Sequence, residues 1–288
     1  MSNGKPVFDP AKYKNTTREQ WESAAEPWHR WGPLLTSWLG PATETMFDMA
    51  GIQEGSHVLD VAAGAGDQTM QAAARVGSSG RVLATDLSPT ILDYARQRAA
   101  ADGHHHVETM ELDGELLHTL EECTFDAVIS RVGMIYFPDQ QKALGGMKHT
   151  LKDNGKVAAM VYSTAEKNGF FSIPVSIIRR RAELPPPLAG QPGPFSLGGE
   201  GVLAEAFERA GLKNIESRTI DAPVKVKSAA ECLAFEQESF GALHQMLGGL
   251  SDEEKEAAWD EISTELKKFE GDDGFEGPCE LVVAVGTK

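Results

Sequence analysis

Short apolar runs alternate with amphipathic stretches through the middle of the chain. Val58 to Ala62 is apolar except for Asp60, the pattern of a parallel strand buried on both faces. It breaks at Gly64-Ala65-Gly66, and Gln68 to Arg75 then carries good helix formers throughout. Arg81 to Asp86 is a second apolar run. Ser88-Pro89 next opens a helix, serine as N-cap and proline at the first position, that runs to about Ala101. Val107 to Leu112 alternates as a third strand, and Phe125 to Arg131 is a fourth. A helix over Asp139 to Leu151 ends towards Asn154-Gly155, and Lys156 to Tyr162 is the fifth strand. Five strands in sequence, four of them followed by a crossover helix, predict a parallel sheet.

The flanks read differently. Thr17 with Gln20 three residues on suits a capping box for a helix through Trp28, kinked or split at Pro27. Pro41 to Ala50 predicts a second helix, closed by Gly51. Four of the five tryptophans, Trp21, Trp28, Trp31 and Trp38, fall in this segment. Most are expected in the core, with one or two lining a site beneath a helical lid. After Ser163, Phe170 to Ala182 predicts an apolar helix ending in a solvated Arg179-Arg180-Arg181. A loop through Pro185-Pro186-Pro187 and Gly190 to Pro194 follows. Glu200 to Ala210 is the next helix and Ile215 to Ile220 a sixth strand. Ala229 to Leu247 and Ser251 to Phe269 are amphipathic helices, the second with Ser251 and Glu254 as a capping box. Cys279 to Gly286 is a seventh strand. The domain reading is therefore 1–50 as an N-terminal helical lid and 51–288 as one α/β domain, with cap segments near 163–200 and 223–275.

Composition narrows the choice. The 288 residues, 41% of them hydrophobic, suffice for one large α/β domain with insertions. Lys and Arg number 27 against 43 Asp and Glu, a net charge of −16, which argues against nucleic acid or an anionic membrane as the main partner. No apolar run approaches a membrane span, and Met1 to Lys5 lacks a signal segment. Cys123, Cys232 and Cys279 are scattered and His104-His105-His106 sit in a turn, so no metal site is expected. A reduced, cytoplasmic setting follows, with the chain a monomer or homodimer.

The chemistry concentrates at the glycine break. Strand, glycine turn and helix form the first unit of a doubly wound sheet, whose ligands sit beyond the carboxyl ends of the strands. Asp86 ends the next strand about twenty residues on, where such folds bind ribose hydroxyls. A dinucleotide site wants a third glycine where Thr69 stands, and Asp60 beside the turn would repel a pyrophosphate while suiting an ammonium group. That favours S-adenosylmethionine (SAM) over NAD. Asp113-Gly114, beyond the third strand, is either a plain turn or a hydrogen-bond partner for an adenine amino group.

Together, Val58 to Gly66, Ala84 to Ser88, Asp113 to Glu115, Phe125 to Arg131 and Leu151 to Lys156 resemble the class I SAM-dependent methyltransferases. They are most similar to the ubiquinone/menaquinone-biosynthesis-like subgroup. Asp153-Asn154-Gly155 departs from the usual Pro-Gly-Gly. The resemblance implies a Rossmann-like, seven-stranded, mostly parallel sheet with its last strand antiparallel beside the fifth, helices on both faces and helical lid and cap segments. It further implies that Gly64 and Gly66 approach the methionine part of SAM with Asp60 behind, and that Gln68 and Thr69 add contacts to its carboxylate. Asp86 would hold the ribose, Leu87 pack on the adenine, Asp113 and Gly114 meet its edge, and Ser130 sit beside the carboxylate or the methyl group.

The activity so implied is methyl transfer to a small, apolar or aromatic acceptor at oxygen, nitrogen or carbon, in that order. For a base, His29, His149 and His244 qualify by residue type only, and Tyr136, just past the fourth strand, is better placed. Trp28, Tyr136, Phe170 and Phe195 are the candidate substrate wall, with Phe171, Phe235 and Phe240 as further cap aromatics. The rivals are an NAD-dependent oxidoreductase and a non-catalytic SAM-binding regulatory module.

Overall fold

The computed structural model describes residues 8–188 and 191–288. The readings of Met1 to Lys5 and of Gly190 lie outside the described residues. Seven strands form one sheet: β1 (His57–Val61), β2 (Arg81–Asp86), β3 (Val107–Glu111), β4 (Phe125–Arg131), β5 (Leu151–Tyr162), β6 (Lys213–Asp221) and β10 (Glu280–Thr287). Their order is β3-β2-β1-β4-β5-β10-β6. The first five are parallel, while β10 lies antiparallel between β5 and β6, with Leu281 opposite both Tyr162 and Ile220. The Rossmann-like, mostly parallel sheet with one antiparallel last strand is as the sequence indicated.

Burial explains the layering. β1, β2 and β4 bury nearly every residue, so both faces must be covered. The helices α3 (Gly32–Ala50), α4 (Asp67–Val76) and α5 (Pro89–Ala101) pack in succession on one side, and α6 (Gln140–Thr150) with α8 (Val202–Arg209) on the other. Ser88 caps α5 by accepting from the Ile91 N–H at 3.3 Å, and Asp139 caps α6 by accepting from the Lys142 N–H at 2.9 Å. Gly51 ends α3 in the left-handed region at φ 72°.

Several boundaries move. The first helix, α1 (Pro10–Ser23), is capped by Asp9, which accepts from Ala11 and Lys12; Thr17 lies buried in its middle rather than at its start. A separate α2 (Ala25–Arg30) contains Pro27, so the split alternative holds. Pro41 does not open a helix but sits inside α3. An interior proline costs about 3 kcal/mol. Leu35, Trp38, Leu39, Ala42, Met46 and Phe47 form one buried stripe across it, and that burial outweighs the cost. β3 is followed by a 3₁₀ turn (Gly114–Thr119) instead of a crossover α-helix.

The cap is α7 (Gly169–Arg181), α9 (Ala229–Ser239), α10 (Gly241–Met246) and α11 (Asp252–Leu266), the last with the predicted capping box. The single helix read over Ala229 to Leu247 breaks at Phe240. The arginines ending α7 are not simply solvated: Arg180 and Arg181 both pair with Glu261 of α11. A small antiparallel sheet, β7 (Val224–Val226), β9 (Gly274–Gly277) and β8 (Glu270–Gly271), was not foreseen. Among the described residues no helix is long and apolar enough to cross a membrane.

Candidate active site

The strand order reverses between β1 and β4, and a cavity of about 1000 Å³, counting its mouth, lies beyond their carboxyl ends. This is where open α/β sheets take ligands. Its floor is Ala62, Ala63 and Gly64 after β1 and Val132 and Gly133 after β4. Ala62 and Val132 both adopt φ 59°. That conformation is costly for side chains with a Cβ, most of all a β-branched one, so two neighbouring central strands carry backbone strain at the cavity floor.

Gly64 has φ 59°, and a Cβ there would point at Trp28 Nε1 from 3.4 Å. Its N–H donates to Asp86 Oδ2 at 3.0 Å, and the Ser88 N–H donates to Asp86 Oδ1 at 3.0 Å. The Asp86 carboxylate is thus aimed by backbone donors and still fronts the cavity, next to Leu87. Burial raises its pKa against those backbone hydrogen bonds. Further along the wall stand Leu112, Asp113, Gly114 and Phe137. A Cβ on Gly114 would sit 2.6 Å from Phe137 Cζ, so the glycine leaves room for that ring. Gln68 also fronts the cavity.

Asp60, Gly66, Thr69 and Ser130 do not. Asp60 is wholly buried beneath the turn, where Thr69 Oγ1 donates to it at 2.6 Å and Gln68 Nε2 at 3.1 Å. Burial pushes its carboxyl up to about 6, against those two hydrogen bonds and the Arg131 charge. Gly66 has φ 85° and abuts α5: a Cβ there would lie 2.7 Å from Ala95 Cβ. Ser130 is buried just under the floor, its Oγ beside Gly133 and without a hydrogen-bond partner, and the next residue, Arg131, fronts the cavity. Arg131 is itself committed, donating to Asp67 at 2.8 Å and to Thr43 at 3.2 Å. Burial would raise the pKa of Asp67, but the Arg131 charge, the hydrogen bonds from Thr36 and Arg131 and the Arg98 charge together offset it and the acid is held low.

The opposite wall is aromatic: Trp21, Trp28, Tyr136, Tyr162 and Phe240. Trp21 meets Trp28 and Tyr136 edge-on, at centroid separations of 5.2 and 5.8 Å. Lys14 and Thr17 of α1 complete the rim. Lys14 Nζ donates to Asp113 at 2.7 Å and to Glu115 at 2.6 Å, and Arg18 bonds Glu111 at 2.6 Å, so α1 is strapped over the cavity. Of the proposed substrate wall, Trp28 and Tyr136 are in place. Phe170 is core packing beside Trp38, and Phe195 packs on Tyr162 and Phe171, both off the cavity.

No candidate histidine reaches the site. His29 is exposed and stacks on Tyr94 at 4.7 Å, His149 faces the Leu120 carbonyl and His244 that of Gln237. Burial pushes the Tyr136 phenol well up, so at neutral pH it is a donor and not a base. Of the cap aromatics, Phe240 lines the cavity, whereas Lys14 and Thr17 carry no site signal in the sequence, because chain proximity gives no hint that α1 meets the ends of β1 and β4. Arg131 had a signal, as a polar residue at a strand's carboxyl end.

The sheet order, the antiparallel β10 and the glycine turn at the strand reversal define a Rossmann-like methyltransferase fold. Within that class, residues 42–174 match the ubiE/COQ5 methyltransferase family, and the resemblance read from the motifs is borne out. An uncharacterized protein of Mycobacterium tuberculosis is 32% identical over 181 residues, 62% of this chain and 62% of its own length. The ubiquinone/menaquinone biosynthesis C-methyltransferase UbiE of Idiomarina loihiensis is 33% identical over 117 residues, 40% of this chain and 46% of that protein. The chain therefore spans under two thirds of the curated relatives it matches. A Haemonchus contortus phosphoethanolamine N-methyltransferase superposes with a TM-score of 0.60 at 17% identity, over 98% of this chain and 60% of that one.

Proposed function

We propose that the chain is a SAM-dependent methyltransferase with a small-molecule acceptor. The carrying observation is the Gly64 turn, open to the cavity and bonded to the Asp86 carboxylate on its wall. That pair fits SAM: Asp86 has lone pairs left for the ribose hydroxyls, Leu87 and Phe137 offer apolar faces to the adenine, and Asp113 offers its edge an acceptor. The Gly64 segment and the Gln68 amide fit the methionine end. Asp60, Gly66 and Thr69 support the turn from behind. A dinucleotide fits worse. Pyrophosphates favour open helix N-termini, but the first residue of α4 is Asp67, an acid already bonded to Arg131.

When bound, SAM supplies a sulfonium methyl that an acceptor lone pair takes as the C–S bond breaks, leaving S-adenosylhomocysteine. The protein's own task is to align the acceptor and exclude water. The aromatic wall and the α1 strap do both, and Trp21, Trp28 and Tyr136 offer π faces to the sulfonium charge. Among the described residues no histidine lines the cavity, so none serves as base for the acceptor's proton. In this reading helices 10–50 act as lid and segments 163–200 and 223–275 as cap. The net charge of −16 favours a small acceptor over nucleic acid.

Calorimetric titration with S-adenosylhomocysteine, with NADH in parallel, tests the reading: micromolar binding of the first and none of the second is expected. NADH binding alone would replace it with an oxidoreductase. Asp86→Ala should weaken S-adenosylhomocysteine by roughly 1–3 kcal/mol, about five- to 150-fold, since ribose hydroxyls lose their buried acceptor. Unchanged affinity would mean that another acid holds the ribose.

A further inference from the structure

Among the described residues Arg131 is the one guanidinium on the cavity lining. It ends β4, its side chain 3% exposed, and donates from Nη1 to Asp67 Oδ2 at 2.8 Å and to Thr43 Oγ1 at 3.2 Å. Nε and Nη2 meet no acceptor among the described residues, and neither is sealed in the interior. A guanidinium presents its N–H donors in a fixed fork that matches a carboxylate, and here one edge of that fork, Nε with Nη2, is left for the cavity. Buried ion pairs are weak devices for stability alone, because desolvation offsets the attraction. Asp67, moreover, has partners enough without Arg131. Its Oδ1 accepts from Thr36 Oγ1 and, at 3.4 Å, from Arg98 Nη1, while its Oδ2 accepts from Gln71 Nε2 at 3.3 Å. Two guanidiniums thus share one buried carboxylate, and the other acid near Arg98, Asp102 at 3.8 Å, is half-exposed and screened. The cluster keeps a positive charge on its cavity side, enough for one anionic group.

We infer that Arg131 is the specificity-determining residue for the carboxylate of the cofactor's methionine tail, taking it on the Nε–Nη2 edge, with Asp67 as the positioning residue that fixes the fork. This rests on the SAM reading and deepens it, because the site then distinguishes SAM from the same nucleoside without a carboxylate. Placement supports the assignment. Asp67 precedes Gln68 in the first turn of α4, so its bond holds Arg131 at the Gly64–Gln68 end of the cavity. Lys14, the other cation on the lining, belongs to the Asp113 end, where it is paired with Asp113 and Glu115. An anion at the methionine end therefore meets Arg131 alone. Asp86 holds the ribose and Arg131 the amino-acid tail, from two ends of one cavity. The pyrophosphate of a dinucleotide would bring one charge too many.

The test compares three ligands on the whole protein by calorimetric titration. They are S-adenosylhomocysteine, S-adenosyl-3-thiopropylamine, which is the same molecule without its carboxylate, and 5′-methylthioadenosine, which lacks the ammonium as well. The parent should bind the first about tenfold tighter than the second. Arg131→Met should bring the two within about twofold by weakening S-adenosylhomocysteine alone. Arg131→Lys, a point charge without the fork, should keep part of the difference. Asp67→Asn should lower the ratio about threefold and leave the affinity for methylthioadenosine unchanged; a residue that merely holds the turn together would weaken all three ligands alike. If Arg131→Met leaves Asp67 too poorly paired to fold, the double variant with Asp67→Asn removes both charges and should show the same loss of discrimination. Equal affinities for the first two ligands in the parent, or an unchanged ratio in the folded Arg131 variants, would overturn the inference and leave the cofactor reading in place. Failure of all three ligands to bind the parent would instead remove the cofactor reading, and this inference with it.

Discussion

Asp60 sits in the middle of β1 with both carboxylate oxygens bonded and no exposure, yet its carboxyl is pushed up to about 6 from an ordinary 3.8. A raised acid binds its proton more tightly in the folded state. Its contribution to stability is full below pH 3.8 and is lost as pH rises through about 6. About two pH units at about 1.4 kcal/mol each make that loss of the order of 3 kcal/mol. Asp60→Asn should remove this slope, because a flipped Gln68 amide can accept from the asparagine while Thr69 still donates to it. Urea unfolding at intervals from pH 4 to 7 measures it: the variant should gain on the parent across that window. Parallel curves would show that the carboxylate is fully compensated by Thr69, Gln68 and Arg131. At this scale, sequence reading placed Gly64, Gln68, Asp86, Leu87, Asp113 and Gly114 on the cavity, because each lies at a strand end whose position the apolar runs define. Asp60, Gly66, Thr69 and Ser130 lie off the cavity lining, because which neighbour a buried acid or hydroxyl bonds depends on packing that periodicity does not carry.

Gly66 links two elements. Its φ of 85° lets the turn enter α4, and its missing Cβ lets α5 close on that turn, since the position such an atom would take is 2.7 Å from Ala95 Cβ and 3.0 Å from Ala95 Cα. α5 begins directly after Asp86 and Ser88, so pushing it outward moves the acid on the cavity wall. Gly66→Ala should cost about 2–4 kcal/mol, from left-handed backbone strain and overpacking together. It should also weaken S-adenosylhomocysteine at least tenfold. Adding Ala95→Gly should recover part of the stability, measured by thermal unfolding, because the clash with the Ala95 methyl goes while the close approach of the α5 backbone stays. Equal stability of the single and double variants would mean that the turn, and not the helix approach, sets the requirement for glycine. The helices around this pair were legible to within a residue or two where local caps mark them: Ser88-Pro89, Ser251 with Glu254, and Gly51. They were illegible where burial overrides local signals. Pro41 lies within α3 because the stripe from Leu35 to Phe47 continues across it. Phe240 breaks the α9–α10 run as it turns its ring to the cavity wall.

Across the whole molecule, the two ends of the described chain do opposite work. β10 is inserted between β5 and β6, with Leu281, Val283, Ala284 and Val285 buried in the sheet. Without it, β5 would expose a long apolar edge and β6 would have no sheet partner, a known route to aggregation. α1, by contrast, buries only Thr17 and is held over the cavity by Lys14 and Arg18. Ion pairs at such half-exposed sites contribute little to global stability. The antiparallel last strand was legible from the resemblance, whereas the strap was not, because it joins residues about a hundred positions apart. A chain ending at Gly277 should therefore fail to give a soluble, cooperatively unfolding protein. One lacking residues 1–24 should unfold with a transition close to the parent's while binding S-adenosylhomocysteine at least tenfold more weakly, since the cavity loses Lys14, Thr17 and Trp21 from its wall. Calorimetric unfolding and the same titration read both outcomes. A shortened protein that keeps full affinity would make α1 a cover for the acceptor alone, whereas one that no longer folds would make it part of the core that its exposure says it is not.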